Sequence, residues 1–188
     1  VTGVQTCALP ISLIIFASDN GAAIQAPIKI LNCNAGFKGR KGTLYEGGIR
    51  VPFIVNQPGM VPIQTLDNLI YFPDMMPTLA ALAKGTKHLP KQINGINILP
   101  LFYGKQVDTD NRLLYWEFPG KQRAARKGDW KCVTIHPNQP LELYNLKEDP
   151  EETNNLAKKY PRRVKEFDEE MQRMHIPTPN WPQPGEQF

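Results

Sequence analysis

Apolar residues fall in short runs along this chain, and the runs have two textures. Leu13-Ile14-Ile15-Phe16-Ala17 is a continuous apolar stretch that ends abruptly in Ser18-Asp19-Asn20-Gly21. Its length and its β-branched and aromatic content predict a strand buried on both faces, as in a parallel sheet. Val51-Pro52-Phe53-Ile54-Val55 repeats the pattern, with proline at the strand start, where a missing N–H is tolerated, and Asn56-Gln57-Pro58-Gly59 after it. Between them, residues 22–40 are rich in Asn, Gly and Pro and only weakly periodic, which predicts a loop. A helix follows within residues 71–85. Asp74 is its expected N-cap, Pro77 lies in its first turn, Met75, Leu79, Leu82 and Ala83 share one face, and Gly85 stops it. Strand, loop, strand, helix is the order of an α/β sheet.

The texture changes from about residue 111. Arg112–Phe118, Gln122–Arg126 and Trp130–Ile135 are strand-like, and Lys127-Gly128-Asp129 is a turn signal between the last two. Leu141-Glu142-Leu143-Tyr144-Asn145-Leu146 alternates as a half-buried strand does. Short strands with tight turns predict an antiparallel sheet. Residues 163–175 carry Val164, Phe167, Met171 and Met174 at spacings of three and four, which predicts an amphipathic helix packed on that sheet. The tail, 177–188, has prolines at 177, 179, 182 and 184 and is expected to be extended.

Composition narrows this picture. A chain of 188 residues is long enough for a real core, and no apolar run reaches membrane-spanning length. The net charge of +4 is mild and scattered, which is no nucleic-acid footprint, though it would not repel anions. Arg112, Lys121, Arg123, Arg126, Lys127 and Lys131 do gather in one region, where a solvated sheet face is the expected setting. Three cysteines, Cys7, Cys33 and Cys132, are widely spaced and imply neither a disulfide framework nor a zinc site. His88, His136 and His175 are isolated from one another and from the motifs below, and none is assigned as a ligand.

Two stretches carry candidate chemistry. Asp19 and Asn20 sit just beyond the end of the first strand, where open α/β sheets gather ligands. A carboxylate and an amide carbonyl are hard oxygen donors that suit Ca²⁺ or Mg²⁺, although Asp-Asn-Gly is also a common turn. The second stretch is Gly39-Arg40-Lys41-Gly42-Thr43-Leu44-Tyr45-Glu46-Gly47-Gly48-Ile49-Arg50-Val51-Pro52. Glycines on both sides of Lys41 imply close backbone approach or positive φ. Lys41 is then a compact point charge in a shaped loop, suited to an anionic oxygen; the alternative is a solvated loop lysine.

Taken together, Ile15–Gly21 and Lys41–Pro52 resemble the C-terminal half of a type I sulfatase, of the arylsulfatase and polysaccharide-sulfatase kind. The likeness continues through Ile93–Phe102, the Ala-Arg-Lys-Gly-Asp-Trp-Lys run, Glu-Leu-Tyr-Asn-Leu and Asp-Pro-Glu-Glu-Thr-Asn-Asn-Leu, to about residue 160. It implies an α/β fold: the C-terminal part of an alkaline-phosphatase-like sheet flanked by helices (13–105), then a small antiparallel-sheet subdomain with a terminal helix (106–176). It also implies that Asp19 and Asn20 are Ca²⁺ ligands and that Lys41 contacts the sulfate group. The expected activity is sulfuric ester hydrolysis on a sulfated small molecule or sulfated carbohydrate, in an exported setting. A phosphatase or phosphodiesterase of the same superfamily, or a catalytically inactive product, is the alternative.

The likeness has two departures. The Cys/Ser-x-Pro-x-Arg motif that yields the formylglycine nucleophile in this family is not found in the sequence, so no catalytic nucleophile is assigned, and the chain is expected to begin within a fold. Residues 1–12 read as a non-native leader of sequencing-adapter type. Pro119 also stands where family members often carry a His after the Trp-Glu-Phe step.

Overall fold

The computed structural model describes residues 11–23, 25, 28–118, 122–136 and 138–179. In chain order its elements are β1 (Ile14–Ala17), α1 (Ile28–Leu31), α2 (Glu46–Ile49), β2 (Phe53–Asn56), α3 (Met75–Leu82), α4 (Leu99–Phe102), β3 (Leu113–Phe118), β4 (Gln122–Lys127), β5 (Trp130–Thr134), β6 (Glu142–Asn145) and α5 (Pro161–Met174). The leader up to residue 10, Cys7, Pro119, Lys121 and the tail from residue 180 lie outside the described residues. The architecture is mixed α/β, as expected, and packs as two units. One joins the residues up to Ala17 with Pro52–Asn111; the other joins Ser18–Val51 with Arg112 onward.

In the first unit, β1 pairs with β2, Ile14 opposite Asn56 and Ala17 opposite Phe53. The pairing is antiparallel, not parallel, and β1 is not buried on both faces. Ile15, Phe53 and Val55 point into a core formed with Ile98, Leu101 and Phe102, while Phe16 is 61% and Ile54 58% exposed. An unbroken apolar run specifies neither strand direction nor which face is covered; the pleat decides the latter.

The helix α3 differs from expectation in three ways. Its buried residues are Pro77 and Thr78, and Leu79 and Leu82 are exposed. The Thr78 hydroxyl accepts the Ile98 N–H at 2.9 Å, which draws a polar position inward. Asp74 makes no side-chain cap on α3. Its buried carboxylate instead accepts the N–H groups of Tyr71 (3.0 Å) and Ile96 (2.9 Å), fastening a 3₁₀ turn to a distant segment. The helix ends with Lys84 in the left-handed region (φ 55°), one residue before the expected Gly85, which donates its N–H to Ala80.

The second unit is built on an antiparallel sheet of order β3-β4-β5-β6, with boundaries within a residue or so of the expected strands. Adjacent residues serve opposite faces. Ala125, Cys132 and Leu143 pack against Phe167 and Met171 of α5. Ala124, Val133, Tyr144 and Leu146 pack against Leu44 and Tyr45. Because both faces are covered, Leu143 and Tyr144 are both buried, although the alternation in β6 predicts burial on one side. The described residues among 22–40 are loop apart from the single turn α1.

Candidate functional site

The segment holding Lys41 is shaped by backbone contacts that only glycine allows. Gly39 and Gly42 have φ of 83° and 91°, as the glycine-flanked pattern implies. Between them, Thr43 closes a tight turn: its N–H and hydroxyl both donate to the Arg40 carbonyl, at 3.0 and 2.9 Å. Lys41 stands exposed on this turn. A methyl group on Gly48 would lie 2.1 Å from the Thr43 carbonyl oxygen, and one on Gly47 2.6 Å from that of Lys38. The pair Gly47-Gly48 therefore lets α2 sit directly on the Lys41 turn.

The two motifs are neighbours in this unit. The Lys41 N–H donates to the Ala22 carbonyl at 2.9 Å, and the Gly21 N–H donates to Gly48 at 2.9 Å. Asp19, exposed, and Asn20, half-buried, lie on the bend just before Gly21, where the Ser18 hydroxyl donates to the Asn20 carbonyl at 2.8 Å. From the sheet, the Gln122 side chain donates to the Gly42 carbonyl at 2.9 Å, and the Phe118 ring borders the same glycine.

Beneath the loop lie two polar clusters that the sequence reading does not single out. In the first, Tyr45 and Tyr144 each donate to the Glu142 carboxylate at 2.7 Å. The Lys38 ammonium donates to the Tyr144 hydroxyl at 2.9 Å and stands 4.0 Å from the centre of the Tyr45 ring, a cation–π contact. Burial pushes the Glu142 carboxyl up, but the two hydroxyls and Lys38 outweigh it and hold the group below the usual carboxylate range. Burial and the Glu142 charge push both tyrosine hydroxyls well above their ordinary value.

The second cluster is fully enclosed. The Lys131 ammonium, 0% exposed, lies 2.9 Å from Glu46 Oε1 and 2.9 Å from Glu152 Oε1. Glu152 Oε2 accepts the Glu46 backbone N–H at 2.6 Å. Arg126 and Arg50 flank the Glu46 carboxylate at 3.6 and 3.8 Å. Burial raises the Glu152 carboxyl pKa despite the nearby ammonium. The basic cluster of residues 112–131 is thus not a solvated face throughout. Lys131 is interior, Arg126 joins it, and Arg123 pairs with Asp168 at 3.4 Å. No local signal marks these residues, because Glu46 and Lys131 are 85 positions apart.

Elsewhere His175, apart from the other histidines and from both motifs, lies 2.6 Å from Glu117, which also accepts the Tyr115 hydroxyl. Cys33 and Cys132 are free thiols. Among the described residues no group of three or more His, Cys, Asp or Glu could hold a metal ion, and no helix is long and apolar enough to cross a membrane.

Comparison with known proteins gives this arrangement a family. Residues 37–176 match the family model for the C-terminal region of N-sulphoglucosamine sulphohydrolase. Lys41, Glu46, Lys131, Glu142 and Glu152 fall inside that match; Asp19 and Asn20 precede it. The chain is similar to a sulfatase of Formosa agariphila, with 32% identity over 80% of this chain and 29% of that protein. It is also similar to human arylsulfatase A, with 30% identity over 77% of this chain and 33% of that protein. A solved structure from glycosaminoglycan metabolism by Bacteroides thetaiotaomicron superposes with a TM-score of 0.76 at 28% identity, covering 88% of this chain and 39% of that one. The chain thus spans about a third of the length of these relatives. It belongs to the sulfatase family, and its sequence is that of the family's C-terminal part.

Proposed function

We propose that this chain serves sulfuric ester hydrolysis, with Lys41 as the sulfate contact and Asp19 and Asn20 as cation ligands. The observation that carries the reading is the pair of backbone bonds, Lys41 to Ala22 and Gly21 to Gly48, which hold the two motifs side by side in a chain of this family. An exposed ammonium on a backbone turn fixed by glycines suits an anionic oxygen. Its positive charge counts most where negative charge gathers in the transition state.

A carboxylate and an amide carbonyl on one bend suit a hard divalent cation such as Ca²⁺, whose site is completed by further oxygens. Asp19 and Asn20 would hold the ion, and it would supply polarisation of a sulfate oxygen. Two oxygens alone make a weak site, in the millimolar range or above. The formylglycine nucleophile expected for the family, and export from the cytoplasm, belong to the same reading. The neighbour from glycosaminoglycan metabolism favours a sulfated carbohydrate as the substrate class, and arylsulfatase A a sulfated aromatic.

The test is Lys41→Ala in a sulfatase that carries this chain together with the nucleophile. Turnover of 4-nitrophenyl sulfate falls by about 10²- to 10³-fold, as when one preorganised donor is removed, with an unchanged melting temperature. Turnover close to the parent's overturns the role of Lys41. Equal loss on the phosphate ester of the same phenol, with the phosphate ester the faster substrate, assigns the site to phosphoryl transfer instead.

A further inference from the structure

We propose that Glu152 is a positioning residue for Lys41: it reaches from the turn after β6 to the first N–H of α2, and Lys131 locks it there by bridging the two carboxylates. Glu152 holds φ of 56°, a backbone state that non-glycine residues rarely adopt. That state is imposed by Asp149, whose carboxylate accepts the N–H groups of Thr153 (3.0 Å) and Asn154 (2.8 Å) and the Thr153 hydroxyl (2.9 Å). The turn thus delivers a buried carboxylate to the Glu46 N–H from 106 positions away.

Glu46 in turn fixes Gly47 and Gly48. Gly47 donates to the Lys38 carbonyl at 2.7 Å, and Gly48 lies against the carbonyls of Arg40 and Thr43, with no room for even a methyl group. A shift of Glu46 is therefore passed to the Lys41 turn by direct contact. Stability alone is a poor account of this cluster. Two carboxylates and an ammonium out of water cost desolvation, and apolar residues of the same volume are often as stable or more so. Buried ions fix register in some proteins, and in this proposal they fix it between the loop and the sheet. That Lys41 holds an anion rests on the function proposed above; the tether from Glu152 to residues 38–49 does not.

The experiment compares Glu152→Ala, Glu152→Gln and Lys41→Ala in the full chain. Amide hydrogen exchange is followed by peptide, together with titration by inorganic sulfate. In Glu152→Ala, peptides covering 38–50 exchange about tenfold faster or more, as expected for one lost charge-assisted bond, while those of β4–β6 keep wild-type rates. Sulfate binding weakens in parallel. Glu152→Gln retains an oxygen for the Glu46 N–H and restores most of the protection. Unchanged exchange in 38–50, or equal acceleration across β4–β6, overturns the proposal. Should Glu152→Ala not fold, Lys131→Met takes its place under the same criterion. If wild type and Lys41→Ala bind sulfate equally, the sulfate reading fails while the exchange result still decides the tether.

Discussion

Gly21 donates its N–H to Gly48 at 2.9 Å, and a methyl group on Gly21 would lie 1.8 Å from the neighbouring carbonyl oxygen of Gly47. The obstacle is backbone, not a side-chain tip that could swing aside. Gly21→Ala must therefore separate the Asp19-Asn20 bend from α2. The expected cost is about 1–3 kcal/mol or more, the range for forcing atoms into packed space. Urea denaturation measures it as a lower midpoint with an unchanged slope. An unaltered midpoint would show that the two segments are not held together as described.

The Glu142 carboxyl predicts an acid-sensitive step. Its pKa is depressed in the folded protein, because the hydroxyls of Tyr45 and Tyr144 and the Lys38 ammonium outweigh the effect of burial. A depressed carboxyl contributes stability above its unfolded pKa, and that contribution is lost as pH falls through the folded value. Glu142→Gln should therefore be the less stable protein at pH 7, and the two stability curves should converge in acid. Curves that stay parallel from neutral pH to the acid limb would remove Glu142 from the account.

The thiols should differ sharply in reactivity. Burial, followed by the Asp168 charge, pushes the Cys132 thiol up to about 12, whereas Cys33 is exposed. The thiolate is the reactive form. Iodoacetamide at pH 8, read by peptide mass spectrometry, should modify Cys33 readily and Cys132 only after denaturation. Native-state labelling of Cys132 at the Cys33 rate would contradict the packing of β5 on α5.

What the sequence made legible was local. The strands β3–β6 and the Lys127-Gly128-Asp129 turn depend on neighbours a few residues away, and Gly128 indeed has φ of 55°. The three-four spacing of Phe167 and Met171 placed α5 on the sheet. Gly39 and Gly42 announced positive φ because few other residues tolerate it. What escaped depends on distant partners. Nothing near Lys131 says that its ammonium points inward to Glu46, and nothing near Asp74 says that Ile96 will claim its carboxylate. Strand direction in β1 is likewise set by β2, about forty residues on, and not by its own apolar run.

The reach of the Glu152 carboxylate to Glu46 also dictates an order of events during synthesis. The sheet β3–β6 closes through consecutive hairpins and can form from chain that emerges together, as low contact order favours. The Lys41 turn, though made first, must wait for a carboxylate 106 positions beyond Glu46 before its register is set. A ribosome stalled anywhere before residue 152 would carry the glycine-shaped loop of residues 38–49 without its anchor, so a segment made early settles late.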